Sequence, residues 1–110
     1  MSSMQNVYHR KLSDVKASHV LPDGTPLLRV GGASPVRGLA GSIAHALRQH
    51  EQIVLRAIGA SAVNQAVKAV ALARTYLAAE GMEIGVIPSI QDVDMEGYGR
   101  SAVEMVVRRV

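Results

Sequence analysis

A two-layer α/β sandwich, with a mixed four-stranded sheet covered on one face by two helices, is the fold this sequence predicts. Three observations predict it. Short strand-like apolar runs and helical periods follow one another as strand, helix, strand, helix, strand, strand. Both helical periods open directly after a glycine-containing turn, at Gly31-Gly32 and at Gly59. Each helix also carries one apolar stripe, which a shared sheet face would bury. At 110 residues and 48% hydrophobic content the chain has material for one modest domain. Aromatic content is only 3%, with three Tyr and no Phe or Trp, so the core must be built from Val, Ile, Leu, Ala and Met.

Residues 1–25 mix Ser, Asn, Asp, His and Lys with single apolar residues and end in the turn cluster Pro22-Asp23-Gly24-Thr25-Pro26. We expect an N-terminal extension there, flexible or loosely docked, slightly basic and of little weight for stability, ahead of a domain over 26–110. The first strand is expected over Leu27–Gly31, with Leu28 and Val30 facing one way and Leu27 and Arg29 the other. Ser34-Pro35 reads as an N-cap followed by proline at the first helical position. Val36, Leu39, Ile43 and Leu47 then recur at helical spacing. Gly38 and Gly41 weaken that helix, and close packing against the sheet or a partner would explain them.

Ile53–Ile58 alternates as a second strand, with Ile53, Leu55 and Ala57 on one face and Val54, Arg56 and Ile58 on the other. Gly59 and Ser61, the latter as N-cap, then open a long helix that ends at Gly81, a left-handed C-cap position. Val63, Ala66, Val70, Ala73 and Leu77 form its core stripe. Its other side holds Ser61, Asn64, Gln65, Lys68 and Thr75, with Leu72 exposed among them. Such a neutral, amide-rich face with one lysine suits either plain solvation or contact with a partner or a backbone phosphate.

Glu83–Met95 reads as a third strand interrupted by Pro88, which assigns it to a sheet edge. Asp92, Asp94 and Glu96 share one of its faces, and Glu96–Gly99 makes a hairpin turn into the last strand, Arg100–Arg109. Right-handed crossovers make strands one and two parallel neighbours, and the hairpin makes strand four antiparallel to strand three. The order that results is 1-2-4-3, with Arg29, Arg56, Glu104 and Arg108 on the open face.

Several function classes drop out at this stage. The net charge of +3 permits nucleic-acid contact without demonstrating it. With no Cys there is no disulfide, thiol nucleophile or cysteine zinc site, and the cytoplasm, including the nucleoid, is the expected location. No apolar run approaches the ~18 residues of a membrane span. GGASPVRG lacks the G-x-G-x-x-G order and no G-K-[ST] follows, so the glycine turns suit a phosphate contact but not nucleotide hydrolysis. Asp92, Asp94 and Glu96 lack the loop of an EF-hand, and His45 and His50, five apart, fall on different helix faces. No serine is spaced for a catalytic constellation with His and a carboxylate. We therefore expect no enzyme activity, cofactor, metal or small-molecule substrate.

The runs LLRVGGASPVRGLAGSIAHALR, IVLRAIGASAVNQAVKAVALAR and GVIPSIQDVDMEG resemble the stage V sporulation protein S family over about residues 27–110. That family is in turn similar to the Alba superfamily, with the same order of strands and helices. The resemblance implies a small regulatory protein that binds DNA or RNA through phosphate backbone and shape, and that forms homodimers or larger assemblies. In Alba proteins binding is carried by the loop opening the first helix, the start of the second, and the last hairpin. These fall on Ser34 and Arg37, on Asn64, Gln65 and Lys68, and on Arg100. The chain departs from that pattern in having Gly31-Gly32-Ala33 where Alba proteins carry a lysine pair, and an acidic Asp92-x-Asp94-x-Glu96 near the hairpin. Both lower the expected affinity for duplex DNA. The alternative is a self-assembling interaction module in developmental regulation, using Val54, Ile58 and Val106 on the open sheet face and Leu72 on the second helix.

Overall fold

The structure is a computed structural model that describes residues 17–95 and 98–110; residues 1–16, 96 and 97 lie outside the described residues. Its elements are β1 (Ala17–Val20), β2 (Pro26–Val30), α1 (Val36–Gln49), β3 (Gln52–Ala57), α2 (Ala60–Ala78), β4 (Ile84–Met95) and β5 (Tyr98–Arg109). The sheet order is β1-β2-β3-β5-β4. β2 and β3 are parallel, and β5 is antiparallel to both β3 and β4. The anticipated four-strand order 1-2-4-3 is thus present, with one strand more.

That extra strand, β1, lies inside the stretch expected to be a flexible or loosely docked extension. It pairs antiparallel with β2, His19 opposite Leu27 and Val20 opposite Pro26. The turn cluster is its return loop: Thr25 N–H donates to Asp23 Oδ1 at 3.0 Å, Gly24 N–H donates to Leu21 O at 2.8 Å, and Gly24 sits at φ +91°. The bond from the Thr25 backbone, reinforced by its side chain, holds the Asp23 carboxyl below the usual range. Four residues are too few to show a strand period, so only the turn chemistry announced this hairpin.

Both predicted N-caps are corrected. Pro35 occupies the cap position of α1 with no side-chain cap bond, because the Ser34 hydroxyl instead accepts from Gly31 N–H at 2.9 Å and closes the preceding turn. Gly59, at φ 92° and ψ 156°, caps α2, which leaves Ser61 within the first turn. The other end of α2 is as expected. Gly81 is at φ +78°, Met82 N–H donates to Leu77 O at 3.0 Å and Gly81 N–H to Ala78 O at 3.0 Å, the Schellman pair that satisfies terminal carbonyls.

Both helices pack on one sheet face. Leu39, Ile43 and Leu47 of α1 and Ala66, Ala73 and Leu77 of α2 meet Leu28, Ile53, Leu55 and Val107 in one core. α1 is tied at its C-terminus by Arg109, whose Nη2 donates to Leu47 O at 2.9 Å. Arg48 grips Glu80 with a two-pronged contact, Nε to Oε1 at 3.0 Å and Nη2 to Oε2 at 2.7 Å. That hydrogen bonding lowers the Glu80 carboxyl and raises the Arg48 guanidinium. With the folded value of Glu80 depressed, the pair's contribution is present above the unfolded carboxylate range and is lost as pH falls through the folded value. Glu80→Gln should therefore lower the melting temperature slightly at neutral pH, where the exposed pair contributes, and leave it unchanged below the folded value, which flattens the acid limb of melting temperature against pH.

Gly41 does not pack closely against anything: it is exposed, and a Cβ there meets no described atom within 4 Å. Ser42, its neighbour, is 1% exposed, and its hydroxyl has no hydrogen-bond partner among the described residues. Gly41→Ala removes a helix penalty of about 1 kcal/mol, and Ser42→Ala removes an unsatisfied buried hydroxyl worth about 1 kcal/mol or more. Each should raise the melting temperature by roughly 5 °C. A thermal melt that falls for either variant contradicts the packing described.

Candidate nucleic-acid interface

The parallel strands β2 and β3 end side by side, Val30 opposite Ala57, so their following loops meet at one end of the sheet. Gly32 permits the contact. A Cβ at Gly32 would stand 3.0 Å from Ser61 Cβ and 3.9 Å from Ala62 N, so the loop before α1 lies directly against the first turn of α2. Gln65 then pins the two together, its Nε2 donating to Ser34 O at 2.8 Å, and Asn64 Nδ2 reaches Gln65 Oε1 at 3.5 Å.

Three of the six expected site residues, Ser34, Asn64 and Gln65, are therefore brought into one cluster. Ser34 is only 7% exposed and Gln65 half-buried, which makes these two the struts of the cluster and Asn64 its exposed member. Arg37, in the first turn of α1, and Lys68, one turn beyond Asn64, are both exposed. Arg100 is placed apart. It pairs with Val93 and shares its strand face with Ala102 and Glu104, the face turned away from the helices. Ser101, on the helix side, borders the same groove as Asn64. Asp92 and Asp94 pair with Ser101 and Gly99, while Glu96 lies outside the described residues. No group of three acidic or histidine residues that could hold a metal occurs among the described residues.

Charge pairing separates the arginines. Arg48, Arg56 and Arg74 form ion pairs with Glu80, Glu104 and Glu83, and Arg109 is bonded to a carbonyl. Among the described residues, Arg37, Lys68 and Arg100 have no such partner. Two uncompensated cations thus flank a neutral amide cluster at two helix starts, an arrangement that attracts anions.

Beside this cluster runs an apolar groove of about 610 Å³, lined by Val63, Asn64, Val67, Ser101 and Val103. Ile90, in register with Val103 and Ala57, is 75% exposed, Val86 38% and Val67 54%. The expected contact surface is corrected by these values. Val54 is 6% exposed, Ile58 and Val106 are half-buried, and Leu72 is packed against the core. A bare apolar strip runs instead along the helix side of β4 and the adjoining flank of α2, while Ile87, 55% exposed, lies on the other face of β4. Two helices about 10 Å across cover about four strands spaced ~4.8 Å apart, so a fifth strand leaves one uncovered. No described helix is long and apolar enough to cross a membrane.

A family model described as stage V sporulation protein S matches residues 26–110. Among solved structures, Alba from Thermoplasma volcanium is similar with a TM-score of 0.51 and 11% sequence identity, covering 74% of this chain and 96% of that one. At that identity the likeness is one of fold.

Proposed function

Because this chain belongs to the stage V sporulation protein S family and has an Alba-like fold, we propose that it is a non-enzymatic regulator that binds DNA or RNA through the phosphate backbone. The observation that carries this reading is the pair of cations, Arg37 and Lys68, without partners among the described residues and beside the Ser34–Gln65 cluster. Phosphates would sit over exposed helix starts, with Asn64 as a neutral donor, and recognition would follow backbone position and shape rather than base edges. The chain has no Phe or Trp on which to stack bases, which fits that mode. Arg100 would add a more distant contact along the hairpin.

A second reading is favoured by a separate observation. The strip of Val67, Val86 and Ile90 is the kind of surface that a second copy covers, so we also propose a homo-oligomer formed through it. The two readings are compatible, since the strip lies beside the cluster and does not include Arg37 or Lys68. Electrophoretic shifts with duplex DNA, single-stranded DNA and RNA at two salt concentrations test the first. Retardation at low salt that weakens steeply at high salt is expected. Absence of binding to all three at low salt would leave the interaction module as the function.

A further inference from the structure

The loop before α1 is mostly bare: Gly31, Gly32, Ala33 and Pro35 are exposed, Ser34 alone is buried, and Pro35 at the cap position makes no side-chain bond. Two contacts with α2 hold it. The backbone at Gly32 lies so close to Ser61 that an added Cβ would stand 3.0 Å from that residue's own Cβ. Gln65, one turn further along α2, donates from Nε2 to Ser34 O at 2.8 Å, while its Oε1 faces Asn64 Nδ2 at 3.5 Å. Both ends of this half-buried amide are engaged within the protein, which leaves it little to offer a ligand. The carbonyl it holds belongs to the residue just before Pro35, and Arg37 follows two positions later in α1. Lys68 lies three residues beyond Gln65, on the next turn of α2.

Resting on the phosphate-backbone reading above, we propose that Gln65 is a positioning residue and not the nucleic-acid contact that the family resemblance implies. It locks the loop before α1 against α2, so that Arg37 and Lys68 meet neighbouring phosphates as one site and not as two independent charges. Rigid placement matters because an exposed arginine or lysine already gives up side-chain freedom when it binds, and a loop fixed beforehand adds no further ordering cost. Gly32 belongs to the same device. A side chain there lifts the loop away from α2, since the Ser61 Cβ is attached to the helix backbone and cannot swing aside. A neutral residue and a glycine thereby govern what two cations can reach.

Salt separates the two roles, because Gln65 carries no charge. As a direct contact it releases no counterion, so Gln65→Leu would weaken binding alike at every salt concentration and leave the slope of log affinity against log salt unchanged. Positioning predicts that Gln65→Leu in the full-length chain lowers that slope for duplex DNA by up to about 0.9, as though a cation had been removed. Adding Arg37→Ala to Gln65→Leu should then change little more. Gly32→Ala should lower the slope in the same way, and Gly32→Ala with Ser61→Gly should restore it, Ser61→Gly alone binding as the wild type does. Far-ultraviolet dichroism should show the helices and sheet retained throughout. An unchanged slope in Gln65→Leu, or an Arg37→Ala loss as large in that background as in the wild type, overturns the proposal and leaves the phosphate-backbone reading standing. Failure of Ser61→Gly to rescue Gly32→Ala overturns it as well, and that pair decides alone if Gln65→Leu does not fold. A wild type that binds no nucleic acid at low salt removes the reading itself, and the positioning role with it.

Discussion

Replacing Arg37 and Lys68 together by alanine is expected to lower the slope of log affinity against log salt by about 1.8 for duplex DNA, or about 1.4 for a single strand, because two fewer counterions are released. The loss should be nearly uniform across sequences, as phosphate contacts carry position and not base identity. Both side chains are exposed and without partners among the described residues, so each substitution should change stability by no more than about 0.5 kcal/mol. A dichroism melt separates lost affinity from lost structure. Arg74→Ala is the control: its Nε donates to Glu83 Oε2 at 2.7 Å, so its charge is already compensated. Unchanged salt slopes in the double variant would remove this end of the sheet from the interface.

Charging the bare strip is expected to abolish self-association. Ile90 is 75% exposed in the single chain, so Ile90→Asp costs the monomer little, whereas a carboxylate buried without a partner between two copies costs about 3–5 kcal/mol. That corresponds to roughly a hundredfold to several thousandfold weaker association. Light scattering should report the monomer mass at concentrations where the wild type is larger. Ile87→Asp, three residues away on the opposite sheet face, should leave the assembled mass in place. A wild-type protein that is monomeric throughout the micromolar range, or an Ile90→Asp variant as associated as the wild type, would rule this surface out.

Much of this architecture is legible in the sequence because its signals are local and periodic. The stripe Leu39, Ile43, Leu47 and the run Ala66, Ala73, Leu77 are buried as their spacing requires, Gly81 terminates α2, and Pro88 assigns β4 to the edge. What escaped was set by neighbours distant in the chain. Ser34 and Ser61 are cap residues by type, but the Gly31 turn claims one hydroxyl and the geometry of Gly59 supplants the other. Leu72 and Val67 sit on the same helix with similar hydropathy, and only the placement of β4 beyond the reach of α2 decides which is covered. Arg100 differs, since strand parity, a local signal, already sends it to the face away from Asn64, and only the family resemblance had placed it in the site. The cluster joining Ser34 to Gln65 spans 31 residues of chain, and no short-range pattern announces it.

β4 is twelve residues long and closes one edge of the sheet, with an outer row of backbone groups unpaired among the described elements. A flat apolar edge of that length, exposing Val86, Ile87 and Ile90, is a template on which further strands could stack without limit. Pro88 stands near its middle, between Ile87 and Ser89, and supplies no donor. It leaves residues 84–87 and 89–95 on either side of a position without a backbone N–H, which interrupts continuous pairing along the edge. If copies join through the side chains of this strand, as proposed, that break would favour a finite assembly over open-ended growth along the backbone.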